Sequence, residues 1–415
     1  MKRIYGVNQF VMQSGERYCL VVDRSSGLPV YYPNLYITTQ IRNRGASFAT
    51  MMAAASNLVM LLRFVENRGI DLEPRFLSKD FFKPHELDDL RDFAQHKKEK
   101  TSSLVLPSSW SQLKDTNTVD NATQYSRLTT FAYYLRWYAR HIVTMAGEEV
   151  VEQINEMAEQ IKARRPRKRG RNSLLEDRSL SDVQLDALFE VIRLGSELNP
   201  FSIDVQARNR LIILLLFHLG IRGGELLNIR IQDIDFSTNR IRIVRRADEL
   251  ADSRINAPNA KTRERLIPLT ENLCDELHKY IINDRRKVRN ATKNDYLFVT
   301  YKSGPTLGQP ISKAAYHKII SEIRAVSPQL SAVTGHMLRH TWNRRFSERM
   351  DSLDETVSEE RQEKMRSFLM GWKEGSGTAA TYNRRFIQLK GYEAALALQE
   401  SNGTRLPEDM KLADE

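Results

Sequence analysis

The chain has 415 residues, with 63 Lys and Arg against 52 Asp and Glu, a net charge of +11 and 41% hydrophobic residues. At roughly 100–200 residues per domain this suggests two or three foldable domains whose positive excess favours a polyanion, nucleic acid before an anionic membrane surface. Cys19 and Cys274 are the two cysteines, which excludes a disulfide framework and a cysteine-based zinc finger.

The start, Met1-Lys2-Arg3-Ile4-Tyr5-Gly6, lacks the apolar core of a signal peptide. The apolar run Leu211–Phe217 is far shorter than the ~20 residues of a spanning helix. A soluble, cytoplasmic protein is the expectation.

In residues 1–45, Tyr18 to Val22 reads as a strand, Ser25-Ser26-Gly27 as a turn and Val30-Tyr31-Tyr32 as a returning strand, giving a small β-rich module or an arm. Residues 46–161 read as helical. Met51, Leu58, Leu61, Leu62 and Val65 recur at helical spacing; Leu87, Leu90 and Phe93 mark a second helix. A third, from Gln124 to Ile142, carries Leu128, Phe131, Leu135 and Tyr138 on one face and Arg127, Arg136, Arg140 and His141 on others. A solvated face and a DNA-contacting face both fit these bases.

Residues 162–173 form a basic linker. Lys162, Arg164, Arg165, Arg167, Lys168, Arg169 and Arg171 place seven positive charges in ten residues, which repel one another and suit an extended segment. A solvated tether, a nuclear-localisation signal and a stretch that tracks a phosphate backbone, notably through Arg167, Lys168 and Arg169, all fit.

Residues 174–400 follow as a larger domain, with 401–415 as a polar tail. Ser181 and Gln184 form a capping box ahead of the stripe Leu185, Leu188, Phe189 and Ile192. A helix spans about Asp204 to Leu219. Arg240 to Ile243 alternates like a strand, Arg265 to Pro268 reads as another strand end, and Lys261 lies in the polar connection between them. Leu273, Leu277 and Ile281 mark a further helix. The fold class is mainly α with a small β-sheet.

Three segments carry residue types suited to chemistry. In Gly220-Ile221-Arg222-Gly223-Gly224-Glu225-Leu226, one helix ends and another begins, leaving Arg222 in the turn. In His336-Met337-Leu338-Arg339-His340, spacings of three and four put both histidines and Arg339 on one helix face. With no carboxylate or cysteine beside it, that face suits a phosphate better than a metal. In Met370-Gly371-Trp372, the tryptophan stands ten residues before Tyr382.

In this order and spacing the three segments resemble the tyrosine recombinase, or phage integrase, family. Gly220 to Leu226 matches its first arginine box, His336 to His340 its His-x-x-Arg-His box, and Met370-Gly371-Trp372 with Tyr382 its last element and nucleophile. Lys261, ahead of Leu266-Ile267-Pro268-Leu269, fits the family's hairpin lysine. The resemblance spans about residues 181–400, and the helical region upstream looks like the family's core-binding domain. Two features depart from the common pattern: Trp372 stands where His is frequent, and the stretch between Arg339 and Gly371 is long and rich in Glu.

The resemblance implies a site-specific recombinase or integrase of a mobile element, acting on double-stranded DNA without metal or nucleotide cofactor. Tyr382 would attack the scissile phosphate to form a 3′-phosphotyrosyl link. Arg222 and Arg339 would clamp the phosphate, His336 would assist proton transfer, Lys261 would protonate the leaving 5′-oxygen and Trp372 would donate its indole N–H. His340 and Glu225 would support that set from behind. It further implies a homo-tetramer on DNA joined through the C-terminal helix, room for accessory proteins, and a nucleoid location with no membrane. A type IB topoisomerase-like enzyme and a non-catalytic DNA-binding regulator on the same fold are the rival readings.

Overall fold

The computed structural model describes residues 4–97, 118–144, 147–167, 179–258, 262–353, 357–374 and 391–399. The chain divides into two compact units, Met1–Ser173 and Leu174–Glu415.

The first unit opens with an antiparallel hairpin of β1 (Tyr5–Val11) and β2 (Arg17–Asp23), in the register Tyr5↔Asp23 to Val11↔Arg17. The partner of Tyr18–Val22 is therefore upstream, and the expected return at Val30–Tyr32 is reduced to Leu28 and Val30, whose backbones pair with Asp23 and Val21. Tyr31–Tyr36 is a helix, α1. Pro33 is tolerated in its first turn, and the Asn34 amide bonds both backbone groups of Val21 at 2.8 Å, occupying the edge a third strand would need. Nor do residues 1–45 stand apart as a module. Tyr18, Cys19, Val21, Tyr36 and Ile37 share one core with the helices that follow.

Those helices are α2 (Phe48–Asn67), α3 (Leu72–Leu77), α4 (Pro84–Gln95), α5 (Asn121–Ile142) and α6 (Glu148–Ala163). Ser47 and Asp120 cap α2 and α5 by accepting from the amides of Thr50 and Thr123. By length and composition α2 is apolar enough to cross a membrane, which the run-length criterion overlooked because Thr, Ser and Asn interrupt it. Half of it is buried, with Leu58, Leu61 and Phe64 in the core of this unit.

Two expectations about basic residues are corrected here. Arg127 is buried, and its guanidinium donates to the carbonyls of Ala94 and His96 at 2.7 and 2.6 Å, tying down the C-terminal end of α4 in place of reaching into a DNA groove. The basic stretch also begins as folded structure. Lys162 lies in the last turn of α6, Arg164 pairs with Asp88 at 2.6 Å, and Arg165 stacks on Tyr125. Arg167 is exposed; Lys168, Arg169 and Arg171 lie outside the described residues.

The second unit contains α7 (Asp182–Val191), α8 (Ile203–Leu219), α9 (Gly223–Leu226), a three-stranded sheet, α10 (Glu271–Lys279), α11 (Lys313–Val326), α12 (Gly335–Asp351) and α13 (Glu359–Met370). The sheet is β3 (Ile234–Asp235), β4 (Arg240–Ile243) and β5 (Arg265–Pro268), antiparallel, with Arg240 opposite Pro268 and Ile243 opposite Arg265. The Ser181 capping box forms as expected. Leu211 to Phe217 are all buried, so α8 is the central helix, its second half apolar over seven consecutive residues because neighbours cover it on every face.

Candidate active site

Helix α8 ends because Gly220 takes a left-handed conformation, φ +59°, and a side chain there would meet Trp342 at 2.8 Å and Met370 at 2.9 Å. Buried Ile221 anchors the turn, and Arg222 occupies the N-cap position of α9, its side chain about one third exposed. Gly223 and Gly335 open α9 and α12 against the hydroxyl end of the Tyr316 ring, where any Cβ would come within 3.0 Å of Tyr316. Gly220 and Gly223 of the first box are thus conditions of close approach.

Thr334 caps α12 and sets its first turn, which presents His336 to solvent and turns Arg339 inward. Arg339 is 1% exposed. Its guanidinium donates to the carbonyls of Gly220 at 2.7 Å and Met370 at 3.2 Å and lies over the Trp372 ring. One side chain thereby joins the ends of α8 and α13. The His336 and His340 rings meet edge to face, 4.6 Å between centres.

A cleft of 570 Å³ collects these groups: Arg222, His336 and Arg339 line it, with Tyr316, His317 and Arg324 of α11. Trp372 is buried behind Arg339. Glu225 lies beneath Arg222, accepting its backbone N–H at 3.1 Å and standing 3.5 Å from its guanidinium. Burial alone would raise the Glu225 carboxyl, but the charge of Arg265, hydrogen bonds from Arg265 and Thr262 and the charge of Arg339 outweigh it, holding the pKa below the ordinary value. Arg222, His336, Arg339, Trp372, Glu225 and His340 are therefore gathered at one place. Lys261 and Tyr382 lie outside the described residues.

Sequence reasoning missed two groups. Thr262 and Arg265 support Glu225 from 37 and 40 residues away, a link no local spacing reveals. Lys313 and His317 line both the cleft and a larger neighbouring one of 1770 Å³, with Lys287, Arg289, Lys302 and Lys318. Set against the buried stripe Tyr316, Ile319, Ile320 and Ile323, helical spacing places Lys313 and His317 together on one flank of α11.

Residues 188–358 match the Phage integrase family. The second unit therefore carries a domain of the phage integrase type. Among relatives, transposase A of transposon Tn554 from Staphylococcus aureus is 30% identical over 136 residues, 32% of this chain and 34% of the transposase. Tyrosine recombinase XerD of Halalkalibacterium halodurans is 24% identical over 144 residues, 35% of this chain and 40% of that protein. The matched stretch thus spans well under half the length of these curated relatives. The solved structure of the Tn1549 transposon integrase in complex with circular intermediate DNA aligns over 85% of this chain and 94% of that one, at 14% identity and a TM-score of 0.49.

Proposed function

We propose that this protein is a tyrosine recombinase that cuts and rejoins duplex DNA at specific sites for a mobile genetic element. The carrying observation is the convergence of Arg222, His336 and Arg339 on one cleft, with Trp372 packed behind. Two guanidiniums and an imidazole at one concave site suit the non-bridging oxygens of a phosphodiester, whose charge grows in the pentavalent state. The name of the Tn554 relative supports a mobile-element role.

The phenol oxygen of Tyr382 attacks phosphorus, its proton passing toward His336; the P–O5′ bond breaks and the 5′-oxygen takes a proton from Lys261. A second 5′-hydroxyl then attacks the phosphotyrosine and releases Tyr382, conserving the bond energy. Duplex DNA is the partner, held through the cleft bases and, in the first unit, through Arg136 and Arg140 on α5. The active form is a tetramer on DNA in which the C-terminal helix docks on a neighbouring protomer, with accessory proteins, in the nucleoid.

The test is Tyr382→Phe on a suicide substrate. DNA binding is retained and the covalent adduct disappears; an adduct that persists in the variant shows that another residue is the nucleophile.

A further inference from the structure

Behind the cleft lies a fully buried ion pair for which the phosphate chemistry has no direct use. Arg265 and Glu225 meet at 2.8 Å with side chains 1% and 0% exposed. The second Glu225 oxygen accepts from the Thr262 hydroxyl, which itself accepts from Arg265 at 3.2 Å. Arg265 also donates to the Leu369 carbonyl at 2.6 Å, and the Arg263 amide donates to the Gly371 carbonyl at 3.0 Å. Gly371, at φ +65°, leaves no room: a Cβ there would come within 3.0 Å of Arg265, Arg263 and Thr262.

One node therefore joins the Arg222 turn, residues 262–265, the end of α13 and the backbone entering Trp372. A buried ion pair is a poor route to stability, since well-packed apolar residues of similar volume commonly do as well or better. What it supplies is fixed geometry, because carboxylate and guanidinium each hold several partners in set directions. In the sequence Thr262 directly follows Lys261, and consecutive Cα atoms lie about 3.8 Å apart across a trans peptide, so the anchored Thr262 is the described residue next to that lysine.

We propose that Thr262 and Arg265 are positioning residues: through Glu225 they hold the segment carrying Lys261 in register with Arg222, so that proton donor and phosphate clamp address the same phosphate. This rests on the reading of Lys261 as the acid for the leaving 5′-oxygen, and the experiment separates the two.

Single-turnover cleavage by the full chain is compared on two suicide duplexes, one normal and one with sulfur as the bridging 5′ atom. A thiol leaves as the thiolate, with a pKa of about 8.5, and needs no acid. Thr262→Val slows the oxygen substrate by about 10²-fold, as for a displacement of about 1 Å, and is restored to within a few-fold of wild type by sulfur. Arg265→Lys follows the same pattern, and Thr262→Ser recovers the oxygen reaction. Equal slowing of Thr262→Val on both substrates, while Lys261→Ala is restored by sulfur, overturns the positioning role alone. Lys261→Ala equally slow on both substrates removes Lys261 as the acid and the proposal with it.

Discussion

The guanidinium carbon of Arg339 lies 5.2 Å from the centre of the Trp372 ring, so a cation with 1% of its surface exposed rests against a buried indole. The same cation bonds the carbonyls of Gly220 and Met370. Arg339 therefore holds the fold besides the phosphate contact proposed for it, and the two cleft arginines part company on mutation. Arg339→Ala strands two buried carbonyls and lowers unfolding stability by about 2–4 kcal/mol, besides abolishing the adduct. Arg222→Ala, at a partly exposed side chain, abolishes the adduct with a loss below about 1 kcal/mol. Urea unfolding of the two variants, read beside adduct yield, checks this; equal destabilisation contradicts it.

Gly371 is constrained twice, by its left-handed backbone and by the Thr262, Arg263 and Arg265 atoms that a Cβ would strike. Gly371→Ala costs about 1–2 kcal/mol for the backbone alone. It also pushes Thr262 and Arg265 away from Glu225, so adduct yield falls although no cleft side chain is changed. A variant with wild-type adduct yield places the Glu225 node outside the reaction.

The Glu225 carboxyl titrates below its ordinary value in the folded chain, Arg265 and Thr262 outweighing burial. The unfolded chain thus binds the proton first on acidification. The stabilisation is complete above the unfolded value, about pH 4.3, and is lost as pH falls through the lower folded value. At neutral pH Glu225→Gln leaves Arg265 buried without its counter-charge and loses about 3–5 kcal/mol. The difference between wild type and Glu225→Gln should shrink as pH falls below about 4, measured as urea midpoints of both proteins at each pH. A difference that holds constant from neutral pH down to about pH 3 shows that the carboxyl is not ion-paired in solution.

Where structure follows from local chemistry, the sequence reveals it. The Ser181 box and the left-handed Gly220 after α8 act within a few residues, and both are found in place. Local pattern fails where partners are distant. Tyr31 and Tyr32 have the composition of a strand, yet Asn34 closes the Val21 edge, and Tyr32 packs edge to face on both Tyr31 and Tyr138 of α5. Arg127 reads like its neighbours Arg136 and Arg140, and the end of α4, 33 residues upstream, decides that it is buried. The Glu225–Arg265 pair spans 40 residues. Hydrophobic period says which face of a helix turns inward, and is silent about which polar group will meet it there.

The basic stretch now has two parts with different expected behaviour. Arg164 and Arg165 are engaged with Asp88, Thr129 and Tyr125 inside the first unit. Arg167, Lys168 and Arg169 follow, and replacing these three with Gln should weaken binding to all DNA sequences alike. The slope of log K against log salt then flattens by up to about 0.9 for each phosphate no longer neutralised. An unchanged slope makes the segment a solvated tether.

In the tail beyond Tyr382, Phe386, Leu389, Tyr392 and Leu396 fall at helical spacing as an apolar stripe. Phe386 and Leu389 lie outside the described residues, while 391–399 is helical and exposed throughout, with Tyr392, Leu396 and Leu398 at 55%, 58% and 60%. Three large apolar side chains more than half exposed lie outside the buried core of their own unit, so their removal should leave the monomer nearly as stable. Buried on a neighbouring protomer, each would contribute ~1.5–3 kcal/mol, offset by the loss of freedom on association. Ending the chain after Gln388 should therefore leave the unfolding midpoint and monomeric DNA binding nearly unchanged, and remove tetrameric synapses and recombination. Native gels and light scattering on DNA-bound protein read the assembly. Tetramers that persist in the truncated chain exclude this helix as the link, and a lowered unfolding midpoint shows that it folds back on its own unit.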